Sequence, residues 1–237
     1  MDDSHTPGVP ATGWDAMAPS YDAERTTDPV YCACVRQAVA DLCPAGTVLD
    51  CGCGTGLALP YLLGADSVHA VDLSGEMLAR LQHKFRSHKL HTARGDVRHL
   101  PYPDGMFDCV LVANVLQHLK PPDQPRAAAE IMRVLKPGGR YVVSVHHFSR
   151  QKRHAGWKKE GTPGGERRNP GYIYRYSRSE LAALFPRARI RAMGFYGYPA
   201  QRLLARAAGR ALARLGHGHM LSAYGAAPRA RGRSYRP

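Results

Sequence analysis

The residues best suited to chemistry lie early in the chain. Asp50 closes a short apolar run, Thr47-Val48-Leu49-Asp50, and leads into Cys51-Gly52-Cys53-Gly54-Thr55-Gly56. A strand running into such a loop and then a helix is a nucleotide-type binding turn. Glycines let the backbone approach a ligand, and the helix N-terminus presents unpaired N–H groups. Leu57 stands where the dinucleotide fingerprint requires a further glycine, which disfavours a pyrophosphate cofactor. Asp72 ends the next strand, where a carboxylate can take both hydroxyls of a ribose. Asp96 ends the third, placed to accept from an adenine amino group. These groups leave the carboxyl ends of neighbouring strands, where open α/β sheets bind their ligands.

The elements that must position them follow from pattern. Residues 14–43 read as helical, with Val30, Cys34, Val35, Ala38, Val39 and Leu42 at helical spacing, and Pro44-Ala45-Gly46 ends the run. Strands are expected at 47–50, 67–72, 90–93, 107–113 and 140–145. Helices are expected at 57–63, 74–85 (with Ser74 as its N-cap) and 125–135. The 107–113 run is apolar almost throughout, as suits the middle of a parallel sheet covered on both faces. Beyond residue 147 the sequence predicts a mobile basic loop over 148–171 and a capped helix over 179–185. A sixth strand over 188–196, an amphipathic helix over 200–215 and a last strand over 220–226 follow. The alternation gives an α/β fold, a doubly wound and mostly parallel sheet. Residues 1–13 and 229–237 have no pattern with which to bury themselves, leaving one domain over 14–228.

Charge divides the chain. Residues 1–149 hold 13 basic and 16 acidic side chains, whereas residues 150–237 hold 20 basic and 3 acidic. Arg202, Arg206, Arg210 and Arg214 recur every four residues along one helix face. Like charges at that spacing repel, so an anion alongside would relieve them. Lys152, Arg153, Lys158, Lys159, Arg167 and Arg168, mixed with Trp157, Tyr172 and Tyr174, would suit a phosphate backbone or an anionic surface; a merely solvated face is the plainer alternative. Apolar residues make up 44% of the chain, which excludes wholesale disorder. No run is apolar enough to cross a bilayer, and the acidic start lacks the apolar stretch of an export signal. Six cysteines without a Cys-x-x-Cys pair then suit a reduced, cytoplasmic setting, with Cys51 and Cys53 as loop fillers.

Taken in order, the motifs resemble those of the class I S-adenosylmethionine-dependent methyltransferases, most of all the ubiquinone/menaquinone-biosynthesis type. The resemblance rests on Val48–Gly56, Val71-Asp72-Leu73-Ser74, Gly95-Asp96, Phe107-Asp108 through Asn114–Leu119, and Leu135–Gly139. It implies a seven-stranded Rossmann-like sheet with a reversed last strand, and S-adenosyl-L-methionine as cofactor. By the same resemblance Asp50, Gly52, Gly54 and Gly56 line the methionine part, and Asp72 holds the ribose. Leu73 and Met77 flank the adenine, Asp96 and Val97 edge it, and Asn114 and Val115 form the floor. The N-terminal segment Trp14–Asp22 is similar to the family's opening Tyr-Asp motif, so 14–43 becomes a cap. Tyr21 closes over the methyl group and Arg25 pairs with the cofactor carboxylate. Phe107 and Leu119 are read as core.

A sulfonium methyl is already activated, so alignment of a nucleophile is the main task and a base is needed only for a protonated acceptor. His118, past the fourth strand, and His146, at the end of the fifth, are the candidates; His146 should face the cleft and His147 away from it. His118 reads more readily as a structural residue bonded to nearby backbone. No carboxylate is spaced to complete a metal site, and none is expected. The resulting expectation is methyl transfer to an O or N atom of a small metabolite. The basic half suits an anionic one, with 148–174 as a lid. The alternative is an RNA methyltransferase of the tRNA wobble-uridine type using the basic segment 150–236. A non-catalytic binding protein on the same fold is disfavoured by the intact cofactor motifs.

Overall fold

The structure is a computed structural model that describes residues 13–26, 28–154, 156–161, 171–193 and 220–228. Seven strands form one sheet: β1 (Thr47–Cys51), β2 (Ser67–Asp72), β3 (Leu90–Arg94), β4 (Phe107–Ala113), β5 (Leu135–His146), β8 (Arg189–Met193) and β9 (Met220–Ala226). Their order is β3-β2-β1-β4-β5-β9-β8. Strands β1 to β5 pair in parallel, and β9 is antiparallel to both of its neighbours. The expected doubly wound sheet with a reversed last strand is therefore present.

Alternation along the central strands sends side chains to two cores. Val110 and Val112 of β4 join Tyr141, Val143 and Val145 of β5 on one face, beneath α5 (Gln124–Val134) and α7 (Arg178–Leu184). Cys109, Leu111 and Val142 face the other way, against α2 (Pro29–Leu42), α3 (Leu59–Leu62) and α4 (Gly75–Lys84). Both sets are almost fully buried, as a central strand read as apolar throughout requires.

Two expectations are corrected. The single helix over 14–43 is two, α1 (Gly13–Arg25) and α2. Pro29 lacks the N–H a continuing helix would need, and Asp28 accepts from Tyr31 N at 3.0 Å to start α2 afresh. The 148–171 loop contains regular structure: α6 (Arg150–His154) and a ribbon of β6 (Glu160–Gly161) with β7 (Ile173–Tyr174). Lys152 of α6, Ile173 and Tyr174 of β7 and the adjoining Arg175 are buried. The sixth strand ends at Met193 as described, with 194–196 outside the described residues. The helix over 200–215 and the 1–12 and 229–237 termini also lie outside them. Ser74 caps α4 as expected, accepting from Met77 N, and Ser177 with Glu180 forms a capping box on α7.

Candidate active site

A cavity of about 510 Å³ opens along the carboxyl ends of β1 to β5. That is ample for a nucleoside-sized ligand with room for a second molecule. Each strand delivers a polar group to it: Asp50 from β1, Asp72 from β2, Asp96 just past β3, Asn114 just past β4 and His146 from β5. Parallel strands end at one edge, so five distant stretches of sequence meet there.

The glycine loop is held to β2 from both sides. Gly52 N and Cys53 N donate to the Val71 carbonyl at 2.7 and 3.0 Å, and Gly54 N donates to Asp72 Oδ2 at 2.7 Å. Asp72 Oδ1 accepts from Ser74 N at 2.9 Å. Gly52 sits at φ +72°, and a Cβ there would overlap Val115 Cγ2. Gly54, at φ +53°, has its open side facing the Tyr21 ring. Gly56 departs from expectation: it is not among the residues around the cavity, and its bare Cα packs against Leu59, Leu81 and Phe85. That glycine lets the loop settle against α4.

Several polar atoms around the cavity find no hydrogen-bond partner among the described residues. They are Asp50 Oδ2, both side-chain polar atoms of Asn114, and Gln117 Oε1, all buried. Buried polar groups are rarely left this way, and a cluster facing one cavity marks where a polar ligand binds. Asn114 adopts φ +61°, a left-handed conformation uncommon outside glycine that asparagine tolerates better than most.

Burial first, then the neighbouring Asp72, pushes the Asp50 carboxyl up to about 7. Asp72 is itself raised by burial, against backbone N–H bonds from Ser74 and Gly54 that lower it. The Cys51 and Cys53 thiols, also around the cavity, are pushed well up by burial beside these carboxylates, so both stay protonated. Their position revises the loop-filler reading. For Asp96 burial raises the carboxyl, but bonds from Arg98 outweigh it and hold it below its ordinary value. Arg98 donates to both Asp96 oxygens, Nη2 at 2.6 Å to Oδ2, and reaches Asp123 at 3.1 Å.

The cap closes one side of the cavity. Tyr21 and Tyr31 share a hydroxyl contact of 3.3 Å, with the Arg25 guanidinium 5.5 and 5.3 Å from their ring centres. Trp14 meets the His118 ring edge-on at 4.7 Å. His118 Nδ1 lies 3.2 Å from the Tyr172 carbonyl, fitting the expected bond to backbone, although the partner is 54 residues away. Burial, offset in part by that carbonyl and reinforced by Arg25, lowers His118 to about 4. His146 is lowered well below its ordinary value by burial first, then by Lys152, His118, Arg175 and Arg25. Both imidazoles are neutral at neutral pH.

Leu73, Met77, Val97 and Val115 line the cavity as expected, and Leu119, read as core, lines it too. Sequence reasoning missed Tyr31, Gln117, Arg98, Asp123 and Tyr172. Tyr31 alone left a signal, one turn before the buried Cys34 and Val35 of α2. Among the described residues no group of three His, Cys, Asp or Glu is arranged to hold a metal ion, and no helix is long and apolar enough to cross a membrane.

Comparison with known proteins fits this geometry. Residues 49–143 match the family described as a methyltransferase domain. The phosphatidylethanolamine N-methyltransferase of Cereibacter sphaeroides is 37% identical over 111 residues, covering 45% of this chain and 53% of that protein. The demethylmenaquinone methyltransferase of Lactiplantibacillus plantarum is 36% identical over 143 residues, covering 54% and 59% respectively. The chain thus spans a little over half the length of these curated relatives. A Haloferax volcanii methyltransferase solved in complex with the Trm112 activator shares the fold, with a TM-score of 0.69 and 23% identity over 93% of this chain and 100% of that one.

Proposed function

We propose that this chain, whose residues 49–143 match a methyltransferase domain, moves a methyl group from S-adenosylmethionine to an O or N atom of a small metabolite. The observation that carries the reading is the set of partnerless buried polar atoms, Asp50 Oδ2, Asn114 and Gln117, around a cavity floored by the glycine loop. When bound, S-adenosylmethionine supplies a methyl group already activated by its sulfonium.

The residues present fit that group. Asp72 spends one lone pair of each oxygen on Gly54 N and Ser74 N, and the others remain for the two ribose hydroxyls. Asp96, locked by Arg98, and Val97 meet the adenine edge, between Leu73 and Met77. Asp50, with Gly52 and Gly54, faces the methionine amino group, and a cation there returns the raised carboxyl to its charged form. Arg25 takes the methionine carboxylate. Asn114 and Val115, which line the cavity, would form the floor, and Tyr21 would cover the transferring methyl. His146 meets the acceptor as a neutral imidazole that orients it; its low basicity suits a hydrogen bond better than removal of a proton. His118 braces Trp14 and Tyr172 beside it.

The RNA reading relied on the basic segment 150–236, of which the helix over 200–215 lies outside the described residues; of the loop cations, Lys152 is buried and Lys159 is paired with Glu180. Calorimetry with S-adenosylhomocysteine tests the cofactor roles. Asp72→Ala should weaken binding by tenfold or more, and equal binding by both proteins would overturn the assignment. Candidate acceptors screened for S-adenosylhomocysteine release, with total RNA as one sample, test the acceptor class. Release with RNA alone would overturn it.

A further inference from the structure

Charge is sorted along the carboxyl edge of the sheet. Asp96, Asp72 and Asp50 stand at the ends of β3, β2 and β1, which are adjacent in that order. Asp123 joins them through Arg98, whose guanidinium is taken up by Asp96 and Asp123. Past β1 the carboxylates give way to neutral imidazoles. His118 follows β4 and His146 ends β5, with the Arg25 guanidinium reaching the same part of the cavity from α1.

Two further cations are built onto the backbone of His146 and His147. Lys152 Nζ donates to the His147 carbonyl at 3.0 Å, and Tyr176 N donates to the His146 carbonyl at 2.8 Å, which places Arg175 next to it. Lys152 and Arg175 are both buried, and both lie over the Trp157 ring, at 5.4 and 5.0 Å from its centre. Arg175 also donates to the Lys158 carbonyl at 3.0 Å. The indole therefore holds the two cations in place beside the β5 end of the cavity. Their field, with that of Arg25, is felt at His146, where it opposes protonation. Charges held in a low-dielectric wall act far more strongly than exposed ones.

We propose that the acceptor enters the β4–β5 end of this cavity as an anion, a carboxylate or an acidic hydroxyl already deprotonated, and that Lys152 and Arg175 select for that charge. The inference rests on the methyl-transfer reading and names its acceptor class. The acceptor oxygen uses its own electron pair to form the new C–O bond as the C–S bond breaks, and the electrons of that bond stay on sulfur. The sulfonium charge and the acceptor charge cancel, and no proton moves. A base is then superfluous, in agreement with two imidazoles of low basicity at the site.

The test uses the full chain loaded with S-adenosylhomocysteine, titrated by calorimetry with benzoate, benzamide and benzylammonium, three probes of matched shape and different charge. Benzoate should bind at least about tenfold more tightly than the other two, a difference that shrinks as salt is raised. In Lys152→Gln and Arg175→Gln the benzoate preference should fall several-fold. Equal or better binding of benzamide or benzylammonium would overturn the proposal, as would absence of benzoate binding by the loaded protein. Should a variant fail to fold, the salt dependence in the wild-type protein decides alone. Failure to bind S-adenosylhomocysteine at all would instead bring down the methyl-transfer reading beneath it.

Discussion

The Thr55 hydroxyl donates to Asp22 Oδ1 at 2.5 Å, so the glycine loop is fastened to the cap that covers it. Lys84 of α4 completes the clasp, with its Nζ 2.8 Å from Asp22 Oδ2. Ser74 adds a second tie, donating to Asp15 at 2.5 Å. Cofactor site and cap are thereby one unit. Thr55→Val keeps the shape and removes the donor. A hydrogen bond to a charged group contributes about 1.5–3 kcal/mol, and partial exposure of Asp22 favours the low end. S-adenosylhomocysteine affinity should drop by about tenfold in calorimetry; an unchanged value would mean the cap contributes nothing to binding.

Gly52 is the loop residue least open to change. Alanine there meets both a left-handed backbone and Val115 Cγ2. The first costs about 1–2 kcal/mol and crowding of this kind a similar amount or more, so Gly52→Ala should lose roughly 3 kcal/mol in urea unfolding. The double variant Gly52→Ala/Val115→Ala relieves the crowding alone and should regain part of the loss. A single variant of wild-type stability would show that the loop moves freely.

Asp50 makes stability and binding respond to pH in opposite directions. Its carboxyl titrates near 7 when folded, so the folded chain retains a proton that the unfolded chain releases at ordinary carboxylate pH. Stability from this group therefore declines as pH rises from about 4 through 7. A cationic ligand favours the ionised form, so its binding should strengthen over the upper part of the same window and release a proton. Calorimetry in buffers of different ionisation enthalpy reads that proton directly. Asp50→Asn should flatten both trends, and an unaltered pH profile in that variant would refute the assignment.

His146→Ala separates two roles. An orienting contact costs about tenfold in kcat, whereas loss of a general base typically costs a hundredfold or more. The expected outcome is the smaller loss, without a shift in the pH profile. No loss at all would remove His146 from the reaction.

His69 and His91, opposite one another on β2 and β3, stack with ring centres 4.7 Å apart. Burial first, then His91, lowers His69 below its ordinary value. Protonation thus favours the unfolded chain. The stability contributed by neutral His69 is complete above the unfolded value, about 6.5, and declines as pH falls below it. Thermal unfolding of His69→Phe should show a weaker acid dependence than wild type between about pH 6.5 and 5.

Strand ends were the legible part of this molecule. Asp50, Asp72 and Asp96 each close a run whose apolar pattern already marks a strand, so their meeting follows once the sheet is parallel. Ser74 was equally plain, because a cap is local. What stayed hidden depends on contacts far apart in sequence. Nothing about Tyr172 announces that its carbonyl meets His118, and nothing about Lys152 announces that it bonds the His147 carbonyl and rests on Trp157. Gly56 keeps its motif position, but that its Cα packs against Leu81 and Phe85 could not be read from the motif.

The sheet's far edge carries a consequence for how the chain matures. β9 lies between β5 and β8, yet it follows both in sequence. β1 to β5 can zip together as they emerge during synthesis, each finding a neighbour already made. β8 cannot; it must wait beside an empty slot until the reversed strand arrives and joins both sides at once. Until then the newborn protein exposes two unpaired strand edges, β5 and β8, the surfaces from which one chain most readily recruits another.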